Sequence, residues 1–357
     1  MKYLTIVIAC LLAVSCKQDK KETIKPPYEK TDWAFYKLNG DVQQISTVSE
    51  KVDGPTPAYG TEYSTDTNVS MTFNEYGDLI SEKKTGGTAL LEDNVFEGRN
   101  ILLSKKQYTS GKIAIILENQ WDAAKKNITA VIKHNPDGSP IDQVKNTYIK
   151  GKLTETVHLN NQGSVISKNT FKYDKKGNLI QEEIYPDGNV LKFSVKYEYD
   201  SESRKVSETR YSAGMLVYKT VFTYQNNLLK TKVTTDSKGK DEYKEEFQYD
   251  AKGRVALHKT IEVPLNSTTI ENYTYDNAGN TLSWSTVIKG EPSISTENTY
   301  DTNNNLMGIK TMSDSKVVES RDYRYTYDTH KNWIQKQVSI NGKPTYNVTR
   351  TITYYSK

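Results

Sequence analysis

In residues 190–200, VLKFSVKYEYD, the side chains Leu191, Phe193, Val195, Tyr197 and Tyr199 alternate with Lys192, Ser194, Lys196 and Glu198. A period of two sends successive side chains to opposite faces, so the pattern predicts a strand with one apolar and one wet face. Tyr243, Phe247 and Tyr249 against Lys244, Glu246 and Gln248 follow the same rule, as do Tyr323, Tyr325 and Tyr327 against Arg324 and Thr326. Nothing of comparable strength carries the 3.6-residue period of a helix.

These strands come in a repeated phrase. From Phe171 onward the chain reads FKYDKKGNLI, YEYDSESRKV, FTYQNNLL, FQYDAKGRV, YTYDNAGNTL, NTYDTNNNL and YTYDTHKNWI, with tyrosines at Tyr173, Tyr199, Tyr224, Tyr249, Tyr275, Tyr300 and Tyr327. Their separations of 26, 25, 25, 26, 25 and 27 residues mark one structural unit. Within it, Asp174, Asp200, Asp250, Asp276, Asp301 and Asp328 can each accept a hydrogen bond from the backbone two residues on, and Gly177, Gly253 and Gly279 can supply a left-handed bend. His330 falls in the last such turn and reads as a tolerant replacement for the glycine of other copies. A second set of turns lies midway, at Pro186-Asp187-Gly188-Asn189, Ser212-Ala213-Gly214, Ser237-Lys238-Gly239, Lys289-Gly290 and Asn341-Gly342, so each unit is two strands and two turns.

Fainter copies at Phe73, Tyr108, His134, Tyr148 and Leu159 carry the meander back to Val42. The expectation is an all-β fold: one long antiparallel β-hairpin meander of about 25-residue repeats. It occupies a single domain over 31–357, with degenerate repeats to about residue 170 and regular ones over 171–357. Roughly two dozen strands would span about 115 Å if flat, and strand twist predicts a coiled or partly closed sheet with its aromatic face inside. The two ends would present edge strands open to pairing. Residues 49–68, with Gly54, Pro55, Pro57 and Gly60, read as a long loop near the N-terminal edge.

Composition sharpens this picture at three points. The 26 tyrosines among 7 Phe and 4 Trp are what a chain made of strands uses, and most are expected in core and cross-strand pairing. With 48 basic and 44 acidic residues, a net charge of +4 supplies no field to hold nucleic acid. Residues 1–16, MKYLTIVIACLLAVSC, have an early Lys2 and an apolar run from Leu4 to Val14, which is a signal-peptide pattern too short for a spanning helix. Ala13-Val14-Ser15-Cys16 resembles the lipobox of bacterial lipoproteins. That resemblance implies removal of residues 1–15, lipidation of Cys16, and, with Lys17 following it, passage to the outer membrane. Residues 16–30, rich in charge and holding Pro26 and Pro27, form a flexible tether. Cys10 is the only other cysteine, so the mature chain has no disulfide.

The Y-D-x-x-G-N/R-L phrase resembles the YD repeat of the Rhs and teneurin group over most of 171–357. In that group long arrays coil into a hollow shell, which in toxin-bearing members encloses a C-terminal effector. Here Tyr354-Tyr355-Ser356-Lys357 continue a strand, so a shortened relative of toxin-delivery proteins is the less favoured expectation. The lipobox, the opening LNGDVQQI and the closing unit look more like small exported YD-repeat lipoproteins of Bacteroidetes.

The sequence offers no catalytic constellation. His134, His158, His258 and His330 are scattered without a metal spacing, no G-x-S-x-G occurs, and the repeated aspartates are explained by turns. The turns also lack the D-x-[DN]-x-[DN]-G order of a calcium loop. The expectation is a protein that is not an enzyme and has no cofactor or metal. Of Trp33, Trp121, Trp284 and Trp333, the pair Trp284 and Trp333 follow repeat turns and are the candidate ligand-contacting residues. The function expected is a non-catalytic binding surface for a glycan or an envelope protein on a chain anchored to the membrane by its N-terminal lipid in the bacterial cell envelope. The alternative is a structural shell or assembly component.

Overall fold

The computed structural model of the chain describes residues 27–52 and 68–356. The expected signal peptide, Cys16, most of the expected tether and most of the expected loop at 49–68 lie outside the described residues. Residues 49–51 and 68 belong to strands, not to that loop.

Twenty-four antiparallel strands follow one another from Val42–Lys51 to Lys343–Tyr354, each paired with the next, and the first and last pair with each other. At this seam Ile45 faces Ile352, Thr47 faces Arg350 and Lys51 faces Tyr346. Beyond the paired residues, Tyr355 N–H donates to the Asp41 carbonyl at 2.8 Å and Val52 N–H to that of Thr345 at 2.8 Å. The meander expected as coiled or partly closed is therefore a closed barrel. The open edge strands expected at its ends are paired with each other, because accumulated twist brings a sheet this wide back upon itself.

The alternation read from the sequence is realised in most strands, although Tyr243 and Tyr327, expected on the sheltered face, are exposed. In the strand Met215–Gln225, Leu216, Tyr218, Thr220, Phe222 and Tyr224 are sheltered, while Met215, Val217, Lys219, Val221, Thr223 and Gln225 are exposed. Among the described residues only the segment 27–41 has structure outside the sheet and its turns, so curvature shelters this face, which must be the lumenal one. The fully buried apolar side chains, apart from Ala130 and Val195, form two clusters beside the seam. One is Trp33, Leu38, Val42, Ile45, Met71, Phe73 and Leu79; the other is Tyr323, Val338, Ile340, Tyr346 and Val348. Elsewhere the barrel is a wall one layer thick. A perimeter of about 115 Å encloses more room than inward side chains fill.

Local chemistry explains the turns. Asp250 Oδ1 accepts from Lys252 N at 2.8 Å and Arg254 N at 3.0 Å, and Asp301 Oδ1 from Asn303 N and Asn305 N at 2.8 Å each. The residue three after the aspartate is left-handed in every copy that ends this way, whether Gly253 (φ 77), Asn304 (φ 60) or Lys331 (φ 66). In the last turn Lys331, not His330, therefore takes the glycine position. His330 lies one residue earlier, where the backbone makes no special demand, and stacks on Tyr354 at 4.0 Å.

The repeat tyrosines do more than pack. Each sits at a β-bulge where its strand enters the turn, for example between Gln248 and Tyr249, which pairs with Val255. A bulge interrupts the ladder and leaves backbone groups to be satisfied otherwise. The next tyrosine supplies the donor: Tyr275 Oη donates to the Val255 carbonyl at 2.9 Å, Tyr249 to Leu229 at 2.8 Å, and Tyr199 to Leu179 at 2.9 Å. The chain of bonds starts upstream of the regular repeats, with Tyr148 on Ile128 and the Trp121 indole on Leu102. At its far end Tyr325, not Tyr327, donates to Leu306 at 3.0 Å. Tyr325 follows Tyr300 by 25 residues, which removes the odd interval of 27.

Order at the N-terminus begins earlier than Thr31. Tyr28–Lys30 forms a 3-10 turn, and Tyr28 Oη donates to the Leu38 carbonyl at 2.6 Å. A helix of one turn, Asp32–Phe35, follows, its N-cap Thr31 accepting from Ala34 N at 3.3 Å. One turn is too short to show a period. The helix places Trp33 against Gly77, where an added Cβ would lie 2.7 Å from the indole and where φ is 90°. Only glycine meets both demands. Asp32 Oδ2 accepts from Leu79 N at 2.7 Å and Arg99 N at 2.8 Å, fastening the segment to the lumenal edge of the turn-bearing rim.

Candidate functional site

Where the N-terminal segment crosses the rim beside the seam, a cleft of about 580 Å³ opens. The segment contributes Tyr28, Ala34, Tyr36, Lys37 and Asn39; the turn after Tyr300 gives Asn303, Asn304 and Asn305. Tyr327, Lys331, Asn332 and Trp333 come from the last repeat turn and Arg350 from the final strand. No carboxylate lines it.

The two halves of the cleft are clasped by Asn332, which is 3% exposed. Its Oδ1 accepts from Asn39 N at 2.8 Å, and its Nδ2 donates to the Asn39 carbonyl and to Tyr354 Oη, each at 2.8 Å. Tyr354 in turn donates to Asp328, whose other oxygen accepts from His330 N and Asn332 N at 2.9 Å. Burial, with the Asp328 hydrogen bond adding to it, pushes the Tyr354 hydroxyl up to about 12. It is a permanent donor at neutral pH. Asp301 is likewise occupied, accepting from Asn305 Nδ2 at 3.0 Å and Tyr327 Oη at 3.3 Å. The two aspartates behind the cleft are thus each held by the hydrogen bonds of their own turn.

Trp333 and Arg350 form the floor. The guanidinium carbon lies 3.4 Å from the Trp333 ring centroid, and Tyr325 meets the indole at 6.1 Å in an edge-on arrangement. Arg350 Nε is fully buried without a hydrogen-bond partner. Burial pulls the guanidinium down to about 10, partly offset by the Tyr325 hydroxyl, so it remains charged at neutral pH. Burial also pushes Tyr325 up to about 12. Aromatic rings, side-chain amides and cations are groups of the kind that line ligand-binding clefts. Among the described residues no group of His, Cys, Asp and Glu is gathered for a metal ion.

The structure separates the two tryptophans singled out from the sequence. Trp333 lies in the cleft, but one ring face is taken by Arg350. Trp284, four strands earlier around the ring, faces Tyr273, and its indole N–H reaches Glu271 at 3.4 Å, beside His258, which bridges Glu271 and Glu245 at 3.0 and 3.2 Å. Trp284 is part of a polar row on the wall. Sequence reading missed Arg350, whose only local signal is an arginine in the otherwise uncharged stretch TRTITYY. It also missed Tyr28, assigned to the tether, and Tyr36, which no motif in the 31–357 domain marked. Cys16 lies outside the described residues.

No family model matches this chain. No curated protein matches it either. Among solved structures, the crystal structure of TcdB2-TccC3-Cdc42 is 13% identical over 76% of this chain and 17% of its own length, with a TM-score of 0.34. A porin-like protein from Bacteroides uniformis ATCC 8492 is 10% identical over 88% of this chain and 99% of its own, with a TM-score of 0.22. At these identities and TM-scores neither likeness says what this chain binds or does.

Proposed function

We propose that this protein is a lipid-anchored, non-catalytic barrel of the bacterial cell envelope that binds a glycan or an envelope protein through the cleft at its turn-bearing rim. The observation that carries the reading is the cleft's lining of aromatic rings, side-chain amides and cations, with Asp301 and Asp328 behind it already engaged in their own turns. The lipobox-like Ala13-Val14-Ser15-Cys16 supports the envelope and the anchor, and the YD phrase supports kinship with exported repeat proteins. The wall itself belongs in water. Lys196, Glu198, Lys219, Glu246, Asp322 and Arg324 are exposed on the outer face, where a membrane-spanning barrel carries an apolar band.

A glycan-array screen of the protein without its first 16 residues tests the binding. Trp333→Ala should weaken retention of the bound class about tenfold by releasing Arg350, while Trp284→Ala should leave it unchanged. Loss with Trp284→Ala alone would move the site to the wall. An envelope protein as partner predicts instead a crosslink through Lys37 or Lys331 in intact cells. Radiolabelled palmitate incorporated by the full chain, and lost in Cys16→Ser, tests the anchor. A second reading, a container, is favoured by the closed ring with little core away from the seam. It predicts a client protected inside the lumen that co-purifies whether or not Trp333 is intact.

A further inference from the structure

We propose that the ligand of the rim cleft is an acidic saccharide, whose carboxylate is received by Arg350; this deepens the glycan reading and rests on it. The contrast with other arginines is the starting point. Arg99 is paired with Asp32, Arg204 with Asp200, Arg254 with Asp250 and Arg321 with Glu319, at 3.2, 2.6, 2.6 and 2.6 Å. Arg210 lies over the Phe193 ring at 4.9 Å, and among the described residues Arg350 is the arginine whose Nε is buried with no acceptor. It has an aromatic platform in place of a counter-ion.

Buried charge without a partner is unfavourable, and a planar guanidinium held flat on an indole keeps its fork ready for a carboxylate at little further loss of freedom. The rest of the lining agrees in sign. Lys37 and Lys331 are exposed on the same cleft, and the left-handed backbone that both adopt fixes them there (φ 55 and 66). Asp301 and Asp328, the carboxylates that could have neutralised the site, are turned into the repeat turns by their hydrogen bonds. The uncharged lining suits the remainder of a sugar: Asn303 offers its amide and Asn304, whose Oδ1 accepts from Asn280, its Nδ2 to hydroxyls, and Tyr36 and Tyr327 offer ring surface. Trp333 is a positioning residue that holds Arg350.

The test is titration calorimetry with oligogalacturonate and with its methyl ester, which keeps the sugar and removes the charge. The acid should bind at least about tenfold tighter than the ester, and added salt should weaken the acid alone. Arg350→Gln should abolish the difference. Because that variant loses a packed side chain, Lys37→Gln and Lys331→Gln, both exposed, provide a second arm, each expected to reduce the salt dependence of acid binding in a protein of unchanged melting temperature. Equal binding of acid and ester, unaffected by Arg350→Gln, overturns the acidic ligand while leaving glycan binding intact. Binding of neither saccharide overturns the acidic-saccharide proposal, the glycan reading then standing or falling with the array screen, and binding of polyglutamate in their place overturns it in favour of an acidic peptide.

Discussion

A single hydroxyl per repeat joins each unit to the one before it. Tyr249 shows how: its ring is half-buried and its Oη answers the carbonyl of Leu229, which stands opposite Tyr224 at the preceding bulge. Tyr249→Phe keeps the ring and removes the donor, so unfolding in urea should show a loss of about 1 kcal/mol. Tyr243→Phe, at an exposed ring, should cost close to nothing. The aspartates give a second residue-level expectation. The Arg254 backbone N–H, and then its side chain, hold the Asp250 carboxyl below the usual range, and the Lys240 N–H does the same for Asp236. A carboxyl with a depressed folded pKa stabilises fully above its unfolded value of about 3.9, and that stability is lost as pH falls through the lower folded value. Urea midpoints should therefore be flat through neutral pH and fall below about pH 4, and Asp250→Asn should remove part of that fall.

At the scale of elements, what sequence shows is what neighbouring residues decide. Turn positions, strand alternation and the 25-residue interval were legible because an aspartate captures amides two and four residues on and a left-handed residue follows at the third place. The helix Asp32–Phe35 was not legible, since one turn has no period, although Thr31 at its cap was there to be read. Nor was the exchange of roles between Tyr325 and Tyr327, because it depends on which ring reaches the Leu306 carbonyl. Half of the site was visible as Trp333. Arg350 was hidden, since a missing counter-ion is a property of the folded surroundings. The N-terminal segment closes the cleft through Asn332, so Asn332→Ala should leave the barrel folded but free Asn39. Hydrogen exchange should then rise across residues 28–40, and ligand affinity should fall with it.

The whole molecule depends on contacts between residues some 300 positions apart. Linear arrays of repeats lose their terminal units first, because those have one neighbour. In the closed ring every strand has two, so thermal unfolding should be a single transition without early loss at either end. Thr351 tests this, since it pairs with Ser46 across the seam and lies beyond the last residue paired to the preceding strand, Thr349. Thr351→Pro should remove a seam bond at a cost of about 1–3 kcal/mol. Hydrogen exchange should then spread from Val42–Lys51 and Lys343–Tyr354 into their neighbours. Uniform protection in that variant would mean the seam carries no special load.

The seam also fixes an arithmetic of growth. In an up-and-down meander the last strand runs antiparallel to the first only when the strand number is even, and one repeat adds two. Whole repeats can thus be duplicated or deleted with the joint unchanged, each altering the circumference by about 10 Å. Loss of one strand would leave the first and last strands parallel and the chain ends on opposite rims, so the antiparallel seam could not be kept. Barrels of this design should therefore come in sizes that differ by whole units, with the cleft, built from the N-terminal segment, the final strand and the last two repeat turns, carried intact wherever the unit gained or lost lies elsewhere.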